Sequence, residues 1–279
     1  MTEIPPALPA ILPFEGRHVL HLFYRLEQDV WRDLDPKERQ ELQISLVGLV
    51  AEIKGLPDTQ LLPLSIVTPK ADLGFMLITP DLQVADLCAK RLGAGLGAGV
   101  LTPVFSWLSM TERSEYTTTE EEYALNLVDG EKLERGSFPF REKLNAFRDR
   151  MGKYLKDRLE PNLPLNSEWP VFCFYPMSKR RNYEQNWYSQ DFETRKELMA
   201  GHARIGRTFT GRVRQLITGS TGLDDMEWGV TLFAKTSSEI KSIVYEMRFD
   251  EVSSRYAEFG EFFIGIQMEV PDLCKRLCL

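Results

Sequence analysis

Trp169–Arg181 reads WPVFCFYPMSKRR, an apolar run of strand length that ends in three cations within four residues. The hundred residues after it set its meaning. SQDFETRKELMAGHARIGRTF (189–209) carries helical periodicity, GRVRQLITGS (211–220) and EWGVTLFA (227–234) read as strands, SSEIKSIVYEMRF (237–249) as a helix, and EFFIGIQM (261–268) as a closing strand. The order is βαββαβ. Thr236 and Glu239 supply a T-x-x-E capping box for the second helix. The cations after Pro176 fit either a solvated strand end or a site that receives carboxylates.

The first half repeats this order. GRHVLHLFYRL (16–26) is a strand, and DLDPKERQELQISLVGLVAEIKG (33–55) a long helix with Asp35 as cap and Pro36 in its first turn. TQLLPLSIVT and DLGFMLIT are strands, a helix runs from about Asp81 to Arg91, and PVFSWLSMTE is the last strand. Two βαββαβ units predict an α+β fold of two tandem ferredoxin-like modules, whose free sheet faces pack together as a dimeric α/β barrel. The expected organisation is an N-terminal module over 1–117, an acidic linker (TTTEEEY) and connecting helix over 118–168, and a C-terminal module over 169–279.

Forty-one acidic against thirty-four basic residues give a net charge of −7, which argues against a nucleic-acid binder. No apolar run reaches the ~18 residues needed to span a bilayer, and the proline-rich start lacks the cationic region of a signal peptide. Cys88, Cys173, Cys274 and Cys278 are too scattered for a disulfide framework, and the C-x3-C pair at the C-terminus lacks further zinc ligands. A soluble cytoplasmic protein is expected, with no membrane insertion.

Candidate sites are few. GAGLGAGV (93–100) has the spacing of a dinucleotide fingerprint but follows a helix and leads into a strand, the reverse of what phosphate binding needs, so it reads as a loop. His18 and His21 lie three apart on a strand and point to opposite faces. His202 shares a helical face with apolar residues, which suits a packed core histidine or a haem ligand. Gln215 is either a solvated amide or one that needs a buried partner, and Arg214 beside it points the other way. The charges of MRFDE (247–251) read as structural ion pairs or interface contacts.

FYPMSKRR, HARIGRTFTGRVRQLITGSTG, DDMEWGVTLFA and YEMRFDEVSSRYAEFG together resemble the coproheme decarboxylases of the chlorite dismutase superfamily. The resemblance runs from about Arg158 to Gly265, with a looser trace at WLSMTERSEY. It implies a peroxide-dependent conversion of two propionates of coproheme to vinyl groups, giving haem b. In that reading His202 ligates the haem iron, Tyr175 is the redox-active tyrosine, and Lys179 lies by the propionates. Arg158 approaches a propionate, Met177 lines the pocket, and Gln215 lies over the distal face. Coproheme and hydrogen peroxide are the implied partners, with a homopentamer and a transient contact with a ferrochelatase. A chlorite dismutase or related haem peroxidase, which relies on a distal arginine, is a second reading. A non-catalytic haem- or porphyrin-binding protein is a third.

Overall fold

A computed structural model of the chain describes residues 9–163 and 168–279; the first eight residues of the proline-rich arm and 164–167 of the connecting segment lie outside the described residues. The chain divides into two compact units, Met1–Thr111 with Leu163–Leu279, and Glu112–Asn162.

In the larger unit the first βαββαβ repeat comprises β1 (His18–Leu26), α1 (Gln28–Asp33), α2 (Pro36–Lys54), β2 (Gln60–Ile66), β3 (Leu73–Thr79), α3 (Leu82–Gly93) and β4 (Leu101–Met110). Asp35 caps α2 through the Lys37 amide and Asp81 caps α3 through that of Gln83, satisfying donors that a helix start leaves free. The smaller unit holds α4 (Glu120–Asp129) and α5 (Phe138–Leu159). Here the acidic run expected to be a linker starts a helix: Thr119 and Glu122 form a reciprocal capping box. Tyr123 stacks on Phe147 at 4.2 Å, and Arg148 pairs with both carboxylate oxygens of Glu120.

The second repeat comprises β5 (Val171–Lys179), α6 (Phe192–Arg207), β6 (Val213–Gly219), β7 (Trp228–Ala234), α7 (Ser237–Met247), α8 (Glu251–Tyr256), β8 (Ala257–Phe259), β9 (Phe263–Gln267) and α9 (Val270–Arg276). Thr236 stands at the cap of α7 but makes no side-chain capping bond, and the Glu239 carboxylate pairs instead with Arg212 at 2.7 Å.

The nine strands among the described residues form one antiparallel sheet in the order β7-β6-β4-β1-β3-β2-β9-β5-β8, and a further β5–β7 pairing closes it on itself. The joins between repeats differ. β2 and β9 pair over three residues, whereas β4 meets β6 only at Met110 and Gly219. Side chains secure that short seam: Thr218 Oγ1 donates to Ser109 Oγ at 2.8 Å, and Asp224 accepts from the Leu108 amide at 2.8 Å.

Strand alternation divides the apolar residues between the barrel interior and the faces under the helices. Phe23, Trp107, Phe172, Phe174, Phe233 and Phe263 fill the interior. Losing a ring there, as in Phe174→Ala, costs about 3–5 kcal/mol. Cys173 and Tyr175 point outward with Val213, Leu232, Ile240 and Ile243. Pro176 lacks an amide proton, and it occupies the position on β5 where the neighbouring strand changes from β9 to β8. Its carbonyl accepts from Gly260 at 2.8 Å, and a Cβ on Gly260 would come within 2.6 Å of the proline ring.

Candidate active site

Because β5 alternates, Tyr175, Met177 and Lys179 share its outer face, below the helices of the second repeat. Tyr175 is 8 % exposed. Its ring stacks on Phe262 at 4.3 Å and meets Phe259 at 5.8 Å, and its hydroxyl makes no hydrogen bond among the described residues. Burial pushes the phenol above its ordinary pKa; Cys173 adds to this and Arg248 opposes it.

Lys179 is 7 % exposed, and its ammonium forms no ion pair or hydrogen bond among the described residues. It lies 4.8 Å from the centroid of Trp187, which itself packs edge-on against Tyr256. Burial lowers the ammonium pKa to about 8, against the raising effect of Asp250 and Glu227. Glu227 also accepts the Lys179 amide at 2.7 Å, which pins the end of β5.

His202 lies in α6, a helix with no buried residue despite its apolar stripe of Leu198, Met199 and Ile205. Its Nδ1 lies 2.7 Å from Asp250 Oδ2 and its side chain is 30 % exposed. Nε2 has no hydrogen-bond partner among the described residues. Asp250 accepts the Val252 and Ser253 amides as the cap of α8. Burial raises its pKa, yet the hydrogen bond and charge of His202 and the Ser253 amide outweigh this and hold it at about 2.

Gln215 shares the outward parity of Val213 and Ile217, while Leu216 faces the interior. The Gln215 amide donates to the Gly206 carbonyl at 3.4 Å, near the end of α6. Tyr175, Met177, Lys179, His202 and Gln215 thus all belong to the outer side of the second repeat. Arg158 belongs to the smaller unit, where its Nε donates to the Glu112 carbonyl at 2.8 Å. Sequence reasoning missed Asp250, taken as part of a structural charge pair, and Trp187, which carries no motif. The other two histidines are structural: His18 contacts the Pro80 carbonyl, and His21 is inside the barrel, stacked on Phe174.

The donor set fits an iron porphyrin. An imidazole with one nitrogen held by a carboxylate and the other unpartnered suits axial ligation, and a buried, unpaired ammonium suits a carboxylate on the ring edge. No cluster of three or more His, Cys, Asp or Glu that could hold a metal ion occurs among the described residues.

The profile of the chlorite dismutase family matches residues 45–268, and the chain belongs to that family. It is 36 % identical over 263 residues to a protein of Natronomonas pharaonis named for heme binding, and 36 % over 276 residues to another from Halobacterium salinarum. These alignments cover 93 % and 98 % of the chain but only 40 % and 50 % of the relatives, so the chain spans half of their length or less. The solved structure of a heme-binding protein from Thermus thermophilus is 34 % identical, covers 98 % of this chain and all of its own, and superposes with a TM-score of 0.78. Chlorite dismutase from Candidatus Nitrospira defluvii, solved with imidazole, shares the fold at a TM-score of 0.69 and 17 % identity, covering 96 % of this chain and 97 % of that one.

Proposed function

We propose that this chain binds haem-type iron porphyrins and, using hydrogen peroxide, decarboxylates two propionates of coproheme to give haem b. The observation that carries this reading is the pairing on one face of β5 of a buried phenol and a buried ammonium, neither with a polar partner among the described residues. Porphyrin binding alone has no use for an oxidisable phenol at that position. Relatives named for heme binding support the ligand class.

The bound iron porphyrin, as substrate, supplies the oxidising power when it reacts with peroxide. His202 holds the iron through Nε2, its orientation fixed by Asp250 at Nδ1. Tyr175 relays one electron and one proton and takes a hydrogen atom from the β-carbon of a propionate. Loss of carbon dioxide and a second electron leaves the vinyl group, so each propionate consumes one peroxide and yields two waters. Lys179 positions the charged carboxylate, and Met177 and Gln215 border the porphyrin. We extend the reading to Arg158 as a propionate partner, on the resemblance of its motif, and to a cytoplasmic homopentamer that meets a ferrochelatase transiently.

The experiment is mass spectrometry of porphyrin extracted after peroxide titration of the coproheme-loaded protein. The expected result is stepwise loss of two carboxyl groups. Tight binding of coproheme that is never shortened would leave a carrier in place of an enzyme.

A further inference from the structure

Two large concavities open on the outer side of the second repeat. One, of about 700 Å³, is polar in character, lined by Arg180, Arg248, Ser253, Ser254 and Glu258 with Phe259 and Phe262. The other, of about 590 Å³, is apolar, lined by Val171, Ile240, Val244 and Ile264, again with Arg248 and Phe262. Tyr175 lines neither. Phe262, whose ring lies flat on the Tyr175 ring, lines both.

The backbone around Phe262 is held at two points. The Gly260 amide donates to the Pro176 carbonyl, and Lys70 Nζ donates to the Phe262 carbonyl at 3.0 Å while pairing with Glu261 at 2.9 Å. These contacts fix the backbone that carries the Phe262 ring. Phe263, one residue on, points the other way and packs flat against Phe23 inside the barrel at 4.3 Å. The doublet therefore splits into a core ring and a covering ring. Phe259 closes a second side of Tyr175, and the Arg248 guanidinium rests 4.4 Å above the Phe259 ring.

We propose that Phe262 is a screening residue for Tyr175: it covers one face of the ring, separates it from both concavities and restricts the approach of solutes from that side. A phenol that is oxidised during turnover is lost as a relay if a dissolved reductant reaches it first, and an apolar ring stacked on it slows that contact from the side of the two concavities. The meaning for catalysis rests on the reading of Tyr175 as the relay, whereas the shielding itself does not.

The test is nitration of the porphyrin-free chain by tetranitromethane, followed tyrosine by tyrosine by peptide mass mapping. Tyr183, fully exposed, sets the fast limit, and Tyr24, buried in the first repeat, reports that the fold is intact. In the unmodified chain Tyr175 is expected to react at least about tenfold more slowly than Tyr183, and Phe262→Ala to raise its rate about tenfold with Tyr24 still protected. Phe262→Leu, which keeps most of the volume, should fall between and serves if the alanine variant does not fold. Nitration of Tyr175 in the unmodified chain as fast as Tyr183, or rates unchanged by both substitutions, would overturn the screen. Because no porphyrin is present, the expected nitration pattern together with unshortened coproheme would retain the screen and reject the decarboxylase reading.

Discussion

His202 Nδ1 and Asp250 Oδ2 lie 2.7 Å apart, and Asp250 also caps α8 through the Val252 and Ser253 amides. One carboxylate thus fixes both the imidazole and the turn after α7. Asparagine caps a helix about as well as aspartate, so Asp250→Asn keeps the cap and removes the charge behind the imidazole. We expect haem affinity to fall about 10–100-fold and the iron to become easier to reduce, since the histidine loses an electron-rich partner. Spectroelectrochemical titration checks this, and an unchanged potential would separate Asp250 from the ligand.

Gln215 presents an uncharged amide on the outer face of β6, tied to the Gly206 carbonyl. An amide stabilises a developing oxychlorine anion far less than a guanidinium does. Oxygen release from chlorite by the haem-loaded protein should be slow or quickly self-limiting. Sustained evolution in an oxygen electrode would favour the chlorite dismutase reading.

The Lys179 ammonium rests against the face of Trp187, with the charges of Asp250 and Glu227 close by. An aromatic face stabilises a desolvated cation by about 2 kcal/mol without consuming its charge, which leaves the ammonium available to a carboxylate. Trp187→Leu should push the Lys179 pKa below about 8. Because the cation is lost as pH rises, affinity for metal-free coproporphyrin III should decline from a lower pH in the variant than in the unmodified chain. Superimposable fluorescence-quenching profiles would show that the contact is packing only.

The paired repeats were legible because each strand and helix carries its own period, and because Asp35 marks the start of the long first-repeat helix. Thr119 and Glu122 had the spacing of a capping box as well, yet a run of three glutamates resembles a solvated segment equally closely. Contacts distant in sequence left no local trace. Nothing in MRFDE distinguishes Asp250, which reaches back 48 residues to His202, from a surface acid. Alternation could not say which ring of the Phe262–Phe263 doublet faces the core until the register of β9 against β5 was fixed.

His21 gives the fold a measurable acid sensitivity. It is wholly buried, its Nε2 hydrogen-bonds Thr231 Oγ1 across the two repeats at 2.9 Å, and Nδ1 has no partner among the described residues. Burial lowers its pKa from 6.5 to about 3. Between those values the unfolded chain binds a proton that the folded chain refuses, so stability falls as pH falls, by about 1.4 kcal/mol per pH unit. Asp250, held at about 2 against an ordinary 3.8, acts in the same direction at still lower pH. His21→Leu should cost about 1 kcal/mol at neutral pH for the lost hydrogen bond but flatten the decline. Urea unfolding between about pH 7 and about pH 5 measures the slope, and equal slopes in the two proteins would acquit His21.

Tyr175→Phe isolates the proposed relay. The substitution removes the hydroxyl, which makes no hydrogen bond among the described residues, and keeps the ring that stacks on Phe262, so folding and porphyrin affinity should be little changed. Phenylalanine has no exchangeable hydrogen and is far harder to oxidise, so peroxide should no longer shorten the propionates. Lys179→Ala should act differently: the phenol remains, but a carboxylate loses the ammonium that positions it, and partly decarboxylated porphyrin should accumulate. Mass spectrometry of extracted porphyrin distinguishes the two outcomes. If Tyr175→Phe yields the divinyl product at the unmodified rate, the phenol is a packing group, and oxidation must reach the propionates without it.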